Sequence, residues 1–268
     1  MKPIWCPGCG DFAVLSSLYK ALAELQLPPQ DVVCVSGIGC SGRTPEFLST
    51  YGLHVVHGRV LPHALGVRLA NPKLTVLGVG GDGDAFAIGA GHFPHAARRN
   101  PDVCYIVMDN EVYGLTKGQT SPTSKADFKT KSTPYGSSEP AINPIAMAIV
   151  HDATFVARGF SAQPQELTKL IVDGIQHKGF AFLQIMSPCV TFFDTYAAWK
   201  EIVHPLPEDW DASDKAKAIN LALTEEVPHL GVFYRTERPT FEERATWASE
   251  KAMATQKGGL DGLIAEYA

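Results

Sequence analysis

The 268-residue chain lacks any long apolar run. A helix that crosses a bilayer needs about 20 mostly apolar residues, so we expect no integral membrane protein. The start of the chain also lacks the basic segment and apolar core of a secretory signal, and we expect a cytoplasmic location. Basic charge is not in excess, because the net charge is −5 at pH 7, which argues against a nucleic-acid partner.

Cysteine is also scarce, with residues only at positions 6, 9, 34, 40, 104 and 189. A cytosolic chain of this length needs no disulfides, so clustered cysteines favour metal or redox chemistry. Two of the six lie inside apolar strands, where a buried thiol acts as a small hydrophobe. These two are Cys34 and Cys104. The other four lie in loops and leave one candidate tetrahedral site, formed by Cys6, Cys9, Cys40 and Cys189.

Zinc and an iron–sulfur cluster both accept four cysteine ligands. Structural zinc sites usually use two close pairs on a local module. Here one close pair, Cys6 and Cys9, is combined with two distant single cysteines. A site assembled from the whole domain favours a redox centre, and structural zinc remains the alternative.

Charged residues are unevenly distributed, with 30 in residues 1–198 and 21 in residues 199–268. Segments with helical periodicity alternate with short, nearly continuous apolar runs, which are typical of buried parallel strands. These runs are Val32–Val35, Leu74–Val79, Val103–Met108 and Phe180–Ile185. The pattern predicts an α/β fold over residues 1–198, with a parallel sheet and helices on both faces. We expect residues 199–268 to form a polar C-terminal extension that packs on a partner chain.

The second apolar run leads into a glycine-rich turn, Gly80–Asp84. A carboxylate in such a turn would repel a diphosphate unless a divalent cation lay between them. Mg²⁺ binds carboxylate, amide and phosphate oxygens together. The next apolar run is followed by Asn110, whose amide oxygen can be a ligand, as can a carbonyl near Val112. Each turn alone is more often structural, but the pair on successive strands predicts a magnesium–diphosphate site that includes Asp82.

Six motifs, in order over about residues 4–195, resemble the β subunit of 2-oxoacid:ferredoxin oxidoreductases, most of all the 2-oxoglutarate branch. They are WCPGCGD at 5–11, GIGCSGR at 37–43, HGR at 57–59, GGDGDAFAIG at 80–89, DNEVYGLTKGQ at 109–119 and SPCVTF at 187–192. The resemblance implies the diphosphate-binding domain of the thiamine-diphosphate (TPP) enzyme fold. It also implies one [4Fe–4S] cluster, with the same four cysteines as ligands.

The resemblance further implies roles for individual residues. Mg²⁺ would be held by Asp82, Asn110 and the carbonyl of Val112. TPP contacts are implied for Ile38, Gly39, Cys40, Ser41, His57, Gly81, Asp82, Gly83, Asn110, Val112, Leu115 and Thr116. Catalytic roles near the substrate are implied for Arg43, Leu115 and Lys117. The guanidinium of Arg43 suits a substrate carboxylate, and the alternative is that it forms a surface or interfacial ion pair. For His57, the alternative to cofactor contact is a structural role.

The implied reaction is the coenzyme A-dependent oxidative decarboxylation of 2-oxoglutarate to succinyl-CoA and CO₂. Electrons would pass through the cluster to ferredoxin, and reductive carboxylation is the reverse. The alternatives are pyruvate or a broader set of 2-oxoacids, a non-redox TPP decarboxylase with structural zinc, and a non-catalytic module. An α subunit would supply the aminopyrimidine-binding domain and the activating glutamate, which implies an (αβ)₂ assembly.

Overall fold

The computed structural model describes residues 2–255 and 259–267. The strands are β1 (Val32–Ser36), β2 (Tyr51–His54), β3 (Thr75–Gly81), β4 (Val103–Asp109), β5 (Val112–Tyr113), β6 (Gln119–Thr120), β7 (Phe155–Phe160), β8 (Phe180–Met186), β9 (His204–Pro205) and β10 (His229–Arg235). The helices are α1 (Asp11–Glu24), α2 (Thr44–Phe47), α3 (Val60–Ala70), α4 (Phe93–Arg99), α5 (Pro144–Val150), α6 (Pro164–Gln176), α7 (Tyr196–Ile202), α8 (Lys215–Thr224), α9 (Phe241–Thr255) and α10 (Gly259–Tyr267). None of these helices has the length and apolar character needed to span a bilayer.

Eight strands form one sheet in the order β2-β1-β3-β4-β8-β7-β10-β9. The six strands from β2 to β7 in this order are parallel to their neighbours. The four strands predicted from apolar runs are β1, β3, β4 and β8, and they lie side by side. Their residues are buried on both sides of the sheet, which is why they are continuously apolar rather than alternating.

Helices cover both faces of the sheet, as predicted. On one face, Leu18 of α1 and Ile171 of α6 pack into a core with the strands. On the other face, Phe93 of α4 and Ile149 of α5 belong to a second core, to which α3 and α8 also contribute. The loops at the carboxyl ends of β1, β3 and β4 are therefore anchored by a sheet that is buried on both sides.

The region 199–268, expected as an extension, contributes two strands to the sheet. β10 pairs antiparallel with β7, and β9 pairs with β10. Phe233 of β10 is fully buried and joins the same core as α4 and α5. The sheet thus continues across the predicted boundary at residue 198, while the packing of this region on a partner stays a prediction. Residues 256–258 and 268 lie outside the described residues.

Candidate cofactor site

A cavity of about 530 Å³ lies at the carboxyl ends of β1, β3 and β4. In parallel sheets, this edge is where ligands bind. All twelve residues for which the resemblance implies TPP contacts line the cavity, and the contacts themselves stay predictions. Four more lining residues had no assigned role: Asp84, Tyr113, Gly114 and Gln119. The structure thus brings together residues from four loops that are far apart in the chain.

Asp82 and Asp109 form a buried pair of carboxylates beside this cavity, only 2% and 3% exposed. The hydroxyl oxygen of Thr123 lies 2.8 Å from Oδ2 of Asp82 and 2.8 Å from Oδ1 of Asp109. One hydroxyl has a single proton, so it can donate to only one of them. Burial, and then the charge of Asp109, raises the pKa of Asp82 to about 8. A cation would stabilise both carboxylates, so the donor set fits Mg²⁺.

The loop after β4 is held in a tight turn by its own side chains. The amide oxygen of Asn110 accepts a hydrogen bond from the N–H of Val112 at 3.0 Å. Oδ1 of Asp109 accepts from the N–H of Glu111 at 3.2 Å, and Glu111 has the left-handed φ of 58°. Because an amide oxygen has two lone pairs, this turn leaves one of them for a cation. The metal roles of Asn110 and Val112 stay predictions.

Asp84 connects three of the loops around the cavity. Its Oδ1 accepts hydrogen bonds from the N–H of Ile38 at 2.9 Å and from the N–H of Gly58 at 2.8 Å. The same oxygen lies 2.9 Å from Nδ1 of His57, and this contact requires a proton on Nδ1. His57 therefore has only Nε2 for contact with a ligand. Asp84 is visible in the sequence as a second carboxylate after Asp82. Its hydrogen-bond partners are 26 to 46 residues away in the chain, so the local sequence does not reveal its role.

Two glycines at this edge make room for protein side chains. A Cβ atom on Gly83 would lie 2.2 Å from Cε1 of Tyr113, and one on Gly37 would lie 2.1 Å from Oδ2 of Asp84. Both distances are far below a van der Waals contact, so a larger residue would displace Tyr113 or Asp84. The glycines are thus explained by close packing in the protein itself. The diphosphate contacts of Gly81 and Gly83 stay predictions.

Hydrogen bonds to backbone atoms bring the segments with the predicted cluster ligands together. The indole N–H of Trp5 donates to the carbonyl of Cys40 at 2.7 Å, which connects the CPGC segment to the loop after β1. The N–H of Gly10 donates to the carbonyl of Pro188 at 3.1 Å, which connects the same segment to the loop after β8. Three segments that are distant in sequence therefore meet, as a site assembled from the whole domain requires.

Two of the predicted ligand sulfurs face a common hollow at Gly114, in the wall of the cavity. A Cβ atom at Gly114 would lie 3.4 Å from Sγ of Cys189 and 3.8 Å from Sγ of Cys40. Within residues 2–255 and 259–267, no three His, Cys, Asp or Glu side chains are close enough to hold a single metal ion. In a cubane cluster each thiolate binds a different iron, so its ligands lie farther apart than those of one ion. The segments that carry the four cysteines thus converge, and the cluster itself stays a prediction.

Of the four cysteines, Cys6 is exposed and the other three are partly buried, and Cys9 and Cys40 lie near a negative charge. Burial, and then the nearby Asp11 carboxylate, raises the pKa of Cys40 to about 11 and also raises the pKa of Cys9. Such thiols stay protonated without a metal, and the positive charge of bound iron would favour the thiolates. Cys34 and Cys104 lie buried in β1 and β4, as predicted.

Two of the residues with predicted catalytic roles lie outside the cavity lining. Arg43 is half-buried where a short 3₁₀ turn leads into α2, and its charge acts on Cys40. Among the described residues it has no salt bridge, so its guanidinium has no fixed carboxylate partner. Lys117 is exposed in a turn with φ 80°, in which its N–H donates to the carbonyl of Gly114 at 3.1 Å. Both residues follow shortly after residues that line the cavity, Ser41 and Thr116, and their catalytic roles stay predictions.

The fold and the cavity agree with a comparison against protein-family models. The model described as "thiamine pyrophosphate enzyme, C-terminal TPP binding domain" matches residues 25–185, more than half of the chain. A second model, for the C-terminal part of the pyruvate ferredoxin oxidoreductase beta subunit, matches residues 189–250. The chain is therefore a TPP-enzyme chain with the TPP-binding domain at its centre.

Relatives define the family more narrowly. The chain is 44% identical over 256 residues to 2-oxoacid:ferredoxin oxidoreductase 1, subunit beta, of Aeropyrum pernix, covering 90% of this chain and 80% of that one. It is 39% identical over 251 residues to the 2-oxoglutarate synthase subunit KorB of Methanocaldococcus jannaschii, covering 92% and 93%. The chain belongs to the β subunits of 2-oxoacid:ferredoxin oxidoreductases, and the predicted family is confirmed.

A solved structure shows the same fold. The 2-oxoglutarate:ferredoxin oxidoreductase from Magnetococcus marinus, with 2-oxoglutarate, coenzyme A and succinyl-CoA bound, superposes with a TM-score of 0.95. The two chains are 40% identical, and the match covers 100% of this chain and 93% of the other. This confirms the predicted α/β fold.

Proposed function

We propose that this β subunit takes part in the coenzyme A-dependent oxidative decarboxylation of 2-oxoglutarate to succinyl-CoA and CO₂, with reductive carboxylation as the reverse. The observation that carries the proposal is the cavity, which has the buried carboxylates at one side and the cysteine segments at another. When bound, TPP supplies the electron sink for decarboxylation, and a [4Fe–4S] cluster carries single electrons to ferredoxin. The 2-oxoglutarate relatives support this substrate.

The residues of this chain would bind and orient these groups. Asp82, Asn110 and the carbonyl of Val112 would hold Mg²⁺, which neutralises the diphosphate and relieves the repulsion between Asp82 and Asp109. His57, oriented by Asp84, would present Nε2 to the cofactor. The cluster would be held by Cys6, Cys9, Cys40 and Cys189, next to the part of the TPP cavity that is lined by Cys40 and Gly114.

An α subunit would close the cavity and complete the TPP site. Ile38 and Leu115 line the cavity and are 39% and 49% exposed. Val56 and Ile88 are 71% and 54% exposed, on two segments that meet at Gly58 beside His57. Apolar side chains exposed together in this way are typical of protein–protein interfaces. The α subunit would add the aminopyrimidine-binding domain and the activating glutamate, in an (αβ)₂ assembly. We propose that residues beyond 198 also pack on it.

The proposal predicts which substrate the purified complex prefers. Co-expressed with its α subunit and purified without oxygen, the protein should reduce a viologen dye fastest with 2-oxoglutarate, and only when coenzyme A is present. The measurement is initial viologen reduction with a panel of 2-oxoacids. Equal or faster rates with pyruvate would contradict the proposed substrate. Decarboxylation without dye reduction, in a protein that contains zinc and no iron, would favour the non-redox alternative.

Arg43 provides a test of substrate recognition. Arg43→Ala should raise the KM for the 2-oxoacid roughly tenfold or more, because charge-assisted hydrogen bonds to a carboxylate are worth about 1.5–3 kcal/mol. TPP affinity should change little, since Asp82 and Asn110 are on other loops. Arg43→Lys should restore only part of the affinity, because an ammonium lacks the planar fork. Steady-state kinetics of the complex are the measurement, and an unchanged KM in Arg43→Ala would assign the arginine to an interface.

A further inference from the structure

A chain of buried hydrogen bonds runs from the carboxylate pair to the C-terminal region. Oδ2 of Asp109 accepts from Nε2 of Gln184 at 2.8 Å. Oε1 of Gln184 accepts from Nε of Arg158 at 2.9 Å. Nη1 of Arg158 donates to Oε1 of Glu225 at 2.6 Å. Strands β4, β8 and β7 contribute one residue each, and Glu225 comes from the end of α8, within the region 199–268.

The order of donors and acceptors in this chain is fixed by arginine. A guanidinium has only donors, so it binds the oxygen of the Gln184 amide and directs the NH₂ group toward Asp109. Without Arg158, the oxygen of the Gln184 amide loses its donor, and the side chain is held only by its hydrogen bond to Asp109, so both groups are fixed less firmly. Arg158 is itself held by Glu225, whose other oxygen accepts from the N–H of His229 at 3.1 Å. The orientation of Gln184 is thus set from outside the cavity.

Asp109 transmits this orientation to the loop that follows β4. Its Oδ2 is bound by Gln184, and its Oδ1 accepts from the N–H of Glu111 and lies within hydrogen-bond distance of Thr123. Thr123 also contacts Asp82. The position of the Asp109 carboxylate therefore determines both the turn that contains Asn110 and the environment of Asp82.

We propose that Arg158, Gln184 and Glu225 are positioning residues for the magnesium site, so that the C-terminal region helps to hold the metal ligands in place. The inference rests on the proposed function, because the site in question is the proposed Mg²⁺–diphosphate site. Outer partners that orient metal ligands typically change metal affinity by about 10–100-fold when they are lost. Asp109 is such an outer partner, because it contacts Asp82 through Thr123 and holds the turn that contains Asn110. Gln184, Arg158 and Glu225 in turn hold Asp109.

A purely structural role for the ion pair makes a different prediction. Replacing both charges of a buried pair with apolar residues of similar volume is often neutral for stability, whereas removing one charge is strongly destabilising. The double variant Arg158→Met/Glu225→Met should therefore keep a Tm close to that of the wild type. It nevertheless removes the group that orients Gln184, so a positioning role predicts weaker metal binding in a stable protein.

The structure offers a matched control at the opposite edge of the sheet. Arg68 of α3 and Glu242 of α9 form a pair with the same 2.6 Å separation and similar burial, with side chains 11% and 8% exposed against 7% and 10% for Arg158 and Glu225. The pair contacts Asp102, which precedes β4, and lies far from the cavity. The double variant Arg68→Met/Glu242→Met removes this pair and leaves Asp102 with Lys178 as its remaining cationic partner, so we expect it to be the more destabilising of the two double variants. It leaves the chain to Asp109 intact and is therefore a strict control for general destabilisation.

The experiment compares these variants in the full complex with the α subunit. Mn²⁺, used in place of Mg²⁺, is titrated in the presence of TPP and followed by electron paramagnetic resonance, and Tm is measured on the same samples. Arg158→Met/Glu225→Met should bind Mn²⁺ about tenfold more weakly, at the low end of the effect of outer-shell partners. Gln184→Leu, which removes the amide and no charge, should show a similar loss, and the Arg68→Met/Glu242→Met control should bind as the wild type does.

The outcomes separate this inference from the function on which it rests. Wild-type Mn²⁺ affinity in both Gln184→Leu and Arg158→Met/Glu225→Met would overturn the positioning role and leave the proposed metal site standing. A wild-type complex without TPP-dependent Mn²⁺ binding would overturn the metal site and the positioning role together. An equal loss in the Arg68→Met/Glu242→Met control would show that the effect comes from general destabilisation, which also overturns the positioning role.

Discussion

The Asp82→Ala variant of the complex is expected to lose TPP during gel filtration in Mg²⁺ buffer, together with its activity. Asp82 is the only carboxylate among the proposed Mg²⁺ ligands, so its loss should exceed the roughly 10–100-fold effect of an outer-shell partner. The measurement is the TPP content of the purified complex, alongside the rate of viologen reduction. The iron content should be unchanged, because the cluster ligands are on other segments.

The thermal stability of the metal-free protein provides a control, because removing the charge of Asp82 should raise the Tm although it abolishes TPP binding. The pKa of Asp82 is raised to about 8 in the folded protein, above its usual value near 4. A carboxyl group with a raised folded pKa lowers stability as the pH rises from its unfolded pKa through its folded pKa. With metal removed by a chelator, Asp82→Asn should therefore have a higher Tm than the wild type at pH 8 and little advantage at pH 4.

Asp82→Asn also removes the charged ligand, so it should lose TPP in the same gel-filtration test as Asp82→Ala, and a misfolded variant cannot show both this loss and a higher metal-free Tm. A protein that is more stable without metal yet does not retain TPP has lost a ligand and not its fold, which is a common exchange of stability for function. Normal TPP content in Asp82→Ala would remove Asp82 from the metal site. A lower Tm for metal-free Asp82→Asn at pH 8 would mean that the two carboxylates do not repel each other as their burial indicates.

Much of the cavity could be predicted from sequence because its residues occur in short local patterns. A buried parallel strand is a continuous apolar run, and the loop after it carries the polar groups. The runs ending near Ser36, Gly81 and Asp109 thus locate three loops at one edge of the sheet from the order of residues alone. The resemblance then assigns roles to residues within these loops.

The residues that the sequence could not identify act through distant partners. Asp84 binds the loops at Ile38 and Gly58, and nothing in the local pattern distinguishes it from an ordinary turn residue. The link from Arg158 to Glu225 spans 67 residues and depends on the antiparallel pairing of β10 with β7. The high charge of the last 70 residues masked β10, because its apolar residues lie in a short segment between polar ones.

The second large effect is expected at the cluster. Purified without oxygen, the wild-type complex should contain about four irons from this chain, and Cys189→Ser should lose most of that iron and its brown absorbance. Sγ of Cys189 faces the same hollow at Gly114 as Sγ of Cys40. A serine hydroxyl is a poorer ligand for iron than a thiolate, and no other described cysteine lies on the loop after β8 to replace it.

Cys104→Ser is the matched control for this variant. Cys104 lies in β4, 4% exposed, with its sulfur packed near Gly174 and Leu183 on the helix-covered side of the strand. The same change there buries a hydroxyl and can lower the Tm, but it removes no proposed ligand, so the iron content should equal that of the wild type. The measurement is iron and acid-labile sulfide per complex, with zinc determined on the same samples. Zinc in place of iron in the wild type, or loss of iron in Cys104→Ser with retention in Cys189→Ser, would show that the four loop cysteines are not the ligands of an iron–sulfur cluster.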